Sequence, residues 1–414
     1  MKVGEKYKQT EVGIIPSDWE VKSLKDLSIL ITKGTTPKRF TTAGVTYVKI
    51  ESLAGDEINI EKCLFIDDVT HKTDLKRSVL NEADLLFAIA GATIGKCTIV
   101  PNKILPANTN QALAIIRLKE DENKMYVFYF LKSTLMQKYI IDNIAGGAQP
   151  NLNLAQVGAY FFPTPPTKAE QTAIATALSD ADALISSLST LIAKKRMIKQ
   201  GAMQQLLQAK EGWEVKKLPE LVWFQEGPGV RNSQFKSSGV KLLNGTNIED
   251  GKLILEKTDR YISEKEAYGW YSHFLVNEGD ILIACSGVTI DRFDEKVTIA
   301  NYSHLPLCMN TSTMRFKIIS KDLSKSYFLH FLKSKSFKEQ IGEKATGSAQ
   351  LNFGPSHVKM VDLSFPTLTE QENISSILSD MDAELAALEA KLEKYRKVKL
   401  GMMQNLLTGK IRLV

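Results

Sequence analysis

Gly91-Ala92-Thr93-Ile94-Gly95-Lys96-Cys97 comes nearest to a reactive motif in this chain, because a glycine-rich turn followed by lysine is how backbone N–H groups cradle a phosphate. The spacing is one residue short, and Cys97 stands where a Ser or Thr would hold magnesium. A related stretch, Gly287-Val288-Thr289-Ile290-Asp291-Arg292, lacks both the second glycine and the lysine. Both read as backbone turns presenting Thr93, Lys96, Thr289 and Arg292, with no nucleotide site. Methyl transfer to adenine calls for an Asn/Asp-Pro-Pro-aromatic loop around a flipped base. The chain contains no Asn-Pro or Asp-Pro dipeptide and no Gly-x-Gly-x-x-Gly donor-binding turn. Glu20-Val21-Lys22 and Glu214-Val215-Lys216 resemble an acid–lysine hydrolase pair, but each follows a Trp and is read as a strand packing that Trp. His71, His273, His304, His330 and His357 lack metal-ligand spacing. Cys63, Cys97, Cys285 and Cys308 form no Cys-x-x-Cys pair and are expected to be buried reduced thiols. No catalytic residue, metal site or cofactor of its own is therefore expected.

A different chemistry is better supplied. Arg and Lys read guanine, Asn and Gln read adenine, and Lys, Arg, Ser and Thr hold phosphates. Side chains of these types gather in loops: Lys33, Thr35, Thr36, Lys38, Arg39, Lys49, Thr93, Lys96, Asn108, Asn110 and Gln111 in one half of the chain. In the other half they are Gln225, Arg231, Asn232, Gln234, Lys236, Asn244, Asn247, Ser286, Thr289, Arg292, Asn310 and Ser312. For any one of them the plain alternative is a solvated loop residue, and the set carries more weight than its members.

The two halves are copies of one unit. Glu170-Gln171, Ile174, Leu178-Ser179-Asp180, Asp182-Ala183, Lys199, Gly201 and Leu206-Leu207 recur 200 residues on as Glu370-Gln371, Ile374, Leu378-Ser379-Asp380, Asp382-Ala383, Lys399, Gly401 and Leu406-Leu407. Upstream, Trp19-Glu20-Val21-Lys22 returns as Trp213-Glu214-Val215-Lys216, and Phe130-Leu131-Lys132-Ser133 as Phe331-Leu332-Lys333-Ser334. Between these islands the copies diverge: Lys33 to Gly44 and Gln225 to Gly239 share little beyond a Gly. Gly146-Gly147-Ala148-Gln149-Pro150-Asn151 and Gly347-Ser348-Ala349-Gln350-Leu351-Asn352 are common to both, so they cannot account for different sequence preferences; two roles are open, holding phosphates or, the preferred reading, fixing each domain to its helix.

Each unit joins a globular part to a helix. Short β-rich runs (Val45 to Ile50, Leu85 to Ala90, Ala112 to Leu118, Ile281 to Ala284, Thr313 to Ile319) alternate with turn residues, and aromatic helix-like stretches cover Tyr126 to Ile141 and Tyr327 to Ile341. This predicts α+β domains of mixed α/β structure. After Pro166 and Pro366, apolar residues fall at Ile174, Leu178, Ala181, Ile185, Leu188 and Ile192, and again at Ile374, Leu378, Met381, Leu385, Leu388, Leu392 and Tyr395. Steps of four and three make a heptad seam. About 40 residues of helix would run about 60 Å. Two matched seams predict an antiparallel coiled coil, with packing of each helix on its own domain as the alternative. The expected boundaries are an N-terminal segment 1–16, domains 17–165 and 211–366, a first spacer helix 166–210, and a second with the closing segment, 367–414. Lysines and arginines near the helix ends are expected to form a solvated face, with a place along bound DNA as the alternative.

Composition permits this reading without proving it. Fifty-three basic against 47 acidic residues leave a net charge of +6, and 43% of the chain is hydrophobic, enough for two or three domains. Polar residues from Met1 to Asp18 argue against a signal peptide, and no apolar run is long enough to span a membrane. A cytoplasmic protein is expected.

Thr10-Glu11-Val12-Gly13-Ile14-Ile15-Pro16-Ser17-Asp18-Trp19-Glu20-Val21 resembles the opening of type I restriction specificity subunits. Pro165-Pro166 with Glu170-Gln171 resembles that family's entry into its first spacer helix; the second entry keeps only Pro366 before Glu370-Gln371. Gly401-Met402-Met403-Gln404-Asn405-Leu406-Leu407-Thr408-Gly409-Lys410-Ile411-Arg412 resembles the closing motif, so the resemblance covers essentially the entire chain. It implies two target-recognition domains on an antiparallel helical spacer, which recognise a bipartite asymmetric site in double-stranded DNA. It further implies docking of two methyltransferase subunits and of restriction (motor-nuclease) subunits, with S-adenosylmethionine, ATP and magnesium belonging to those partners. The competing readings are a coiled-coil interaction scaffold that binds no DNA, and a fused methyltransferase or nuclease.

Overall fold

The computed structural model describes residues 6–143, 151–289, 293–343 and 350–413. The chain forms two compact units, one made of residues 1–189 and 390–414, the other of 190–389. Two helices of 39 residues, α1 (Lys168–Leu206) and α2 (Leu368–Leu406), each contribute to both units. Among the described residues, no helix is long and apolar enough to cross a membrane.

In the first unit, Cys97–Ile99, Leu85–Ala88, Leu113–Leu118 and Ser28–Lys33 form an antiparallel sheet in that order. A second sheet runs Leu64–Ile66, Val45–Val48, Ala107–Thr109, Val79–Leu80, with its central pair parallel. Leu85 to Ala88 is buried on both faces, which is why that segment reads as an unbroken apolar run. The strand Glu20–Ser23 following Trp19 pairs with Phe161–Thr164, and Trp19 is fully buried. The second unit repeats the plan: Val222–Glu226, Thr313–Ile318, Ile281–Ala284, Val297–Ile299 in one sheet, and Tyr261–Ile262, Val240–Leu243, Leu307–Met309 in the other. The aromatic stretches divide where one continuous helix was expected, into Lys124–Leu131 with Thr134–Asn143 and Lys325–Leu332 with Lys335–Gly342. Serine explains the break: the Ser334 hydroxyl accepts the Phe337 N–H at 3.2 Å, and Ser133 does the same for Met136 at 3.3 Å, satisfying donors that only a new helix start leaves open.

The helix entries explain the Pro and Glu-Gln pattern. Thr167 Oγ1 accepts the Glu170 N–H at 3.2 Å as an N-cap, and Gln171 Nε2 donates to the Pro165 carbonyl at 3.1 Å. Gln371, fully buried, likewise donates to the carbonyls of Pro366 and Asp322, each at 2.8 Å. The seam begins inside the globular cores: Ile174 and Leu178 belong to the first unit's core, and Ile374 and Leu378 to the second's. Leu188, Ile192, Leu385 and Leu392 continue it as buried residues, with Ala181, Ile185, Met381, Leu388 and Tyr395 half-buried.

Charged pairs fix the pairing direction within each unit. In the first, Asp182 on α1 pairs with Lys399 on α2, and Glu170 pairs with Arg412. In the second, Lys199 pairs with Asp382, Lys195 with Glu384 at 2.7 Å and Arg196 with Glu389 at 2.7 Å. Within each unit the partner number falls as α1 advances by a turn or more, from 412 to 399 between Glu170 and Asp182 and from 384 and 389 to 382 between Lys195/Arg196 and Lys199, so the helices are antiparallel. The helix-end cations are thus in part pairing residues, a correction to the expectation of a merely solvated face.

The end of α2 docks beside the start of the first domain. Gly409 has φ +68°, and a Cβ there would stand 2.5 Å from Pro16, so only glycine closes the helix at that approach. Beyond it, Arg412 donates to Asp18 at 3.0 and 3.1 Å and to Glu170 at 2.8 Å, with its guanidinium 5.6 Å from the Trp19 ring centre. Hydrogen bonds from Arg412 hold the Asp18 carboxyl below the usual carboxylate range.

Candidate nucleic-acid interface

A single backbone contact organises the loops in each unit. A Cβ on Gly34 would lie 2.0 Å from the Thr109 carbonyl oxygen, and one on Gly227 would lie 2.3 Å from that of Asn310. Glycine therefore lets the loop after the first sheet strand lie flat against the loop at 109–112 or 310–312. In the first unit the Thr35 N–H donates to Thr109 O at 3.0 Å and the Thr36 hydroxyl donates to Gln111 Oε1. Thr35, Thr36, Asn110 and Gln111 are thus brought together. The turn bearing Thr93 and Lys96 springs from Ile89, whose N–H donates to Ala112 O at 2.9 Å, so it adjoins the same patch. Arg77, which sequence reasoning missed, joins it by donating to Thr35 Oγ1 at 3.2 Å.

Other candidates stand apart from that cluster. Lys33 is exposed at a strand end, and Lys49 is half-buried just after Val45–Val48. Lys38 and Arg39 are exposed, at 3.9 Å from Asp74 and 3.7 Å from Asp67 respectively, pairs that water largely screens. Asn108 requires correction as an accessible loop residue. It is fully buried, donates to Leu75 O at 2.9 Å and Ser78 Oγ at 3.2 Å, and meets His71 Nδ1 at 2.5 Å. An amide with its partners already in place holds the sheet edge.

In the second unit, Asn244, Ser286 and Ser312 converge on a polar cleft of about 360 Å³, lined also by Thr246, Asp259 and Arg260. Ser312 Oγ accepts the Gly245 N–H at 2.9 Å, and Asn310 Nδ2 donates to Asn244 Oδ1 at 2.9 Å. Asn247 and Asn310 are corrected in the same way as Asn108. Asn247, 1% exposed, donates to Ile254 O at 3.3 Å, and the buried Asn310 braces Asn244. Gln225 accepts from the buried Arg315 at 2.8 Å, and Gln234 donates to Glu266 at 3.0 Å and Tyr271 Oη at 3.1 Å. Both are scaffold partners. Arg231, Asn232 and Lys236 are exposed on the preceding loop, and Thr289 is exposed on a short strand. Arg292 lies outside the described residues, as do 146–149 and 347–349.

The described remainder of the shared loops packs on the candidate turns. Asn151 bridges Ala90, Asn352 Oδ1 accepts from Ser286 Oγ and from the Gly287 N–H, each at 2.9 Å, and Val288 pairs with Leu351. These stretches brace the candidate reading turns. The phosphate-loop look-alike is a turn between strands, with Lys96 N–H donating to Thr93 O at 3.1 Å. Cys97 is buried, and burial pushes its thiol up. Glu20 and Lys22 form an exposed pair at 3.6 Å. Among the described residues no three His, Cys, Asp or Glu side chains gather as metal ligands.

Duplicated mixed α/β domains, each bracing divergent polar loops on a common frame and each tied to a long helix, define a two-headed recognition protein. The type I restriction modification DNA specificity domain model matches residues 16–194 and again 210–395, and the chain belongs to that family. It is similar along nearly its whole length to two proteins of Methanocaldococcus jannaschii. The type I restriction enzyme MjaVIII specificity subunit is 26% identical, over 99% of this chain and 96% of that one. The putative MjaX specificity subunit is 27% identical, over 99% and 97%. Among solved structures, a chain from work on assembly and conformational transition of a type I R-M system superposes with TM-score 0.65 at 14% identity, covering 96% of this chain and 99% of that one. The type I S subunit from M. genitalium gives 0.56 at 14% identity, covering 98% and 99%. The part this chain plays in such a system is that of the specificity subunit, which recognises DNA sequence.

Proposed function

We propose that each domain reads one half of a bipartite, asymmetric duplex target, and that the chain directs partner methyltransferase and restriction subunits to it without performing their chemistry. One observation carries this reading: the same frame is built twice, with the same glycine contact at Gly34 and Gly227, and presents different side chains each time. Thr35, Thr36, Arg77 and Gln111 gather on the first, and Asn244, Ser286, Ser312 and Arg260 on the second. Proteins with two related readers bind two half-sites, and unlike readers give unlike halves. The partners supply S-adenosylmethionine, ATP and magnesium chemistry; the loops described here supply hydrogen-bond donors and acceptors for base edges and phosphates.

The test is to assemble the full chain with its methyltransferase partner and map methylated adenines across a genome. A two-part motif with a fixed gap is expected, and replacing residues 211 to 365 by those of a relative should change one half only. Simultaneous change of both halves would refute one reader per half-site.

A further inference from the structure

Phe40 and Phe235 occupy the same place in the two units, five residues before Val45 and Val240, which open equivalent strands. What lies on each ring differs. In the first unit Phe40 packs edge-on against Tyr47, at 5.3 Å between centroids. In the second the position of Tyr47 is taken by Leu242, and the ring carries the guanidinium of Arg260 at 5.2 Å. The strand registers match: Tyr47 faces Leu64, and Leu242 lies opposite Arg260, donating its N–H to the Arg260 carbonyl at 3.0 Å. Arg260 therefore replaces Leu64 on a common frame.

Contact with the ring tethers the guanidinium and leaves its N–H donors open to a ligand. Arg260 is exposed, and among the described residues its side-chain N–H groups meet no acceptor. It stands on the rim of the cleft lined by Asn244, Ser286 and Ser312. An arginine tethered on an aromatic ring with an unoccupied fork matches the O6 and N7 acceptors of guanine in the major groove. Asp259 lines the same cleft. Its carboxylate disfavours a phosphate there and suits the amino group of the cytosine paired with that guanine.

We propose that Arg260, oriented by Phe235, reads a guanine in the half-site recognised by the second domain, and that this contact is one physical source of the difference between the halves. The inference rests on the proposed function. The test assembles the full chain with its methyltransferase partner and compares the methylated motif of the parent with Arg260→Ala, Arg260→Lys and Phe235→Leu. Arg260→Lys keeps the charge and the aliphatic stem, so it guards against a folding defect, and thermal unfolding is followed for all three. Arg260→Ala and Arg260→Lys are expected to make one guanine position in one half degenerate, with discrimination there falling roughly 5- to 150-fold. The other half and the gap should stay as they were. Phe235→Leu should weaken the same position by less. A parent motif with no G·C pair in the half assigned to residues 211–365 overturns the inference, as does an unchanged motif in Arg260→Ala. Uniform weakening over all sequences with a shallower salt dependence also overturns it, since that marks a phosphate contact. A parent protein yielding no bipartite motif would instead overturn the proposed function itself.

Discussion

At the scale of single residues, His330 shows how the two copies have parted. It occupies the place of Tyr129, whose hydroxyl donates to Asp182 at 2.9 Å while Lys399 sits 5.5 Å from its ring centre. His330 is 3% exposed, with Nε2 3.3 Å from Ser379 Oγ, and burial lowers its pKa to about 4, against an opposing pull from Asp382 and reinforcement from Lys333 and Lys199. The folded chain thus holds it neutral at pH values where the unfolded chain, near 6.5, is already protonated. Its contribution to stability is complete above about pH 6.5 and is lost as pH falls from there towards 4, on the order of 3 kcal/mol over the whole range. His330→Gln should flatten the dependence of the unfolding midpoint on pH between 7 and 4.5, and an unchanged slope would remove His330 as its cause. Residue type alone revealed little at this scale. Asn108, Asn110, Asn244 and Asn247 look alike in sequence, yet Asn108 and Asn247 are spent on internal carbonyls, and burial is decided by chain segments far away in sequence. Arg77 and Arg260 went unnoticed because they lie outside the loops whose glycines mark them. The recurrence of Phe40 as Phe235 was the available signal for the second.

At the scale of elements, the long helices were the most legible part, since a heptad period is a local property that survives any tertiary context. Their direction was set less locally, by pairs such as Asp182 with Lys399 and Asp382 with Lys199, whose partners are about two hundred positions apart. Lys399 is only 14% exposed in that pair, so its charge matters more than that of a surface lysine. Lys399→Glu is expected to destabilise the first unit by about 2 kcal/mol, and adding Asp182→Lys should recover about half of it. Recovery stays partial because the Tyr129 hydrogen bond is lost. Denaturant melts of the two single variants and the double variant measure the coupling, and strict additivity would show that the pair does not govern helix pairing. Strands were legible where they were fully apolar, as at Leu85–Ala88, and the helix breaks at Ser133 and Ser334 were not, because a serine within an aromatic run gives no periodic signal.

At the scale of the whole molecule, the two units differ in how they are assembled from the chain. Residues 190–389 are consecutive, whereas the first unit closes only when residues beyond 390 return to it. Met403, Leu406 and Leu407 complete its core, and Arg412 ties Asp18 to Glu170. The first unit, though begun first, therefore stays open until residues beyond 390 have been added to the chain. Until then it carries an apolar gap that α2 will later fill. A chain ended after residue 389 should make this waiting state permanent: limited proteolysis is expected to cut within 6–189 while 190–389 stays protected. Equal resistance of both parts would mean that the returning segment is an ornament to a unit already complete.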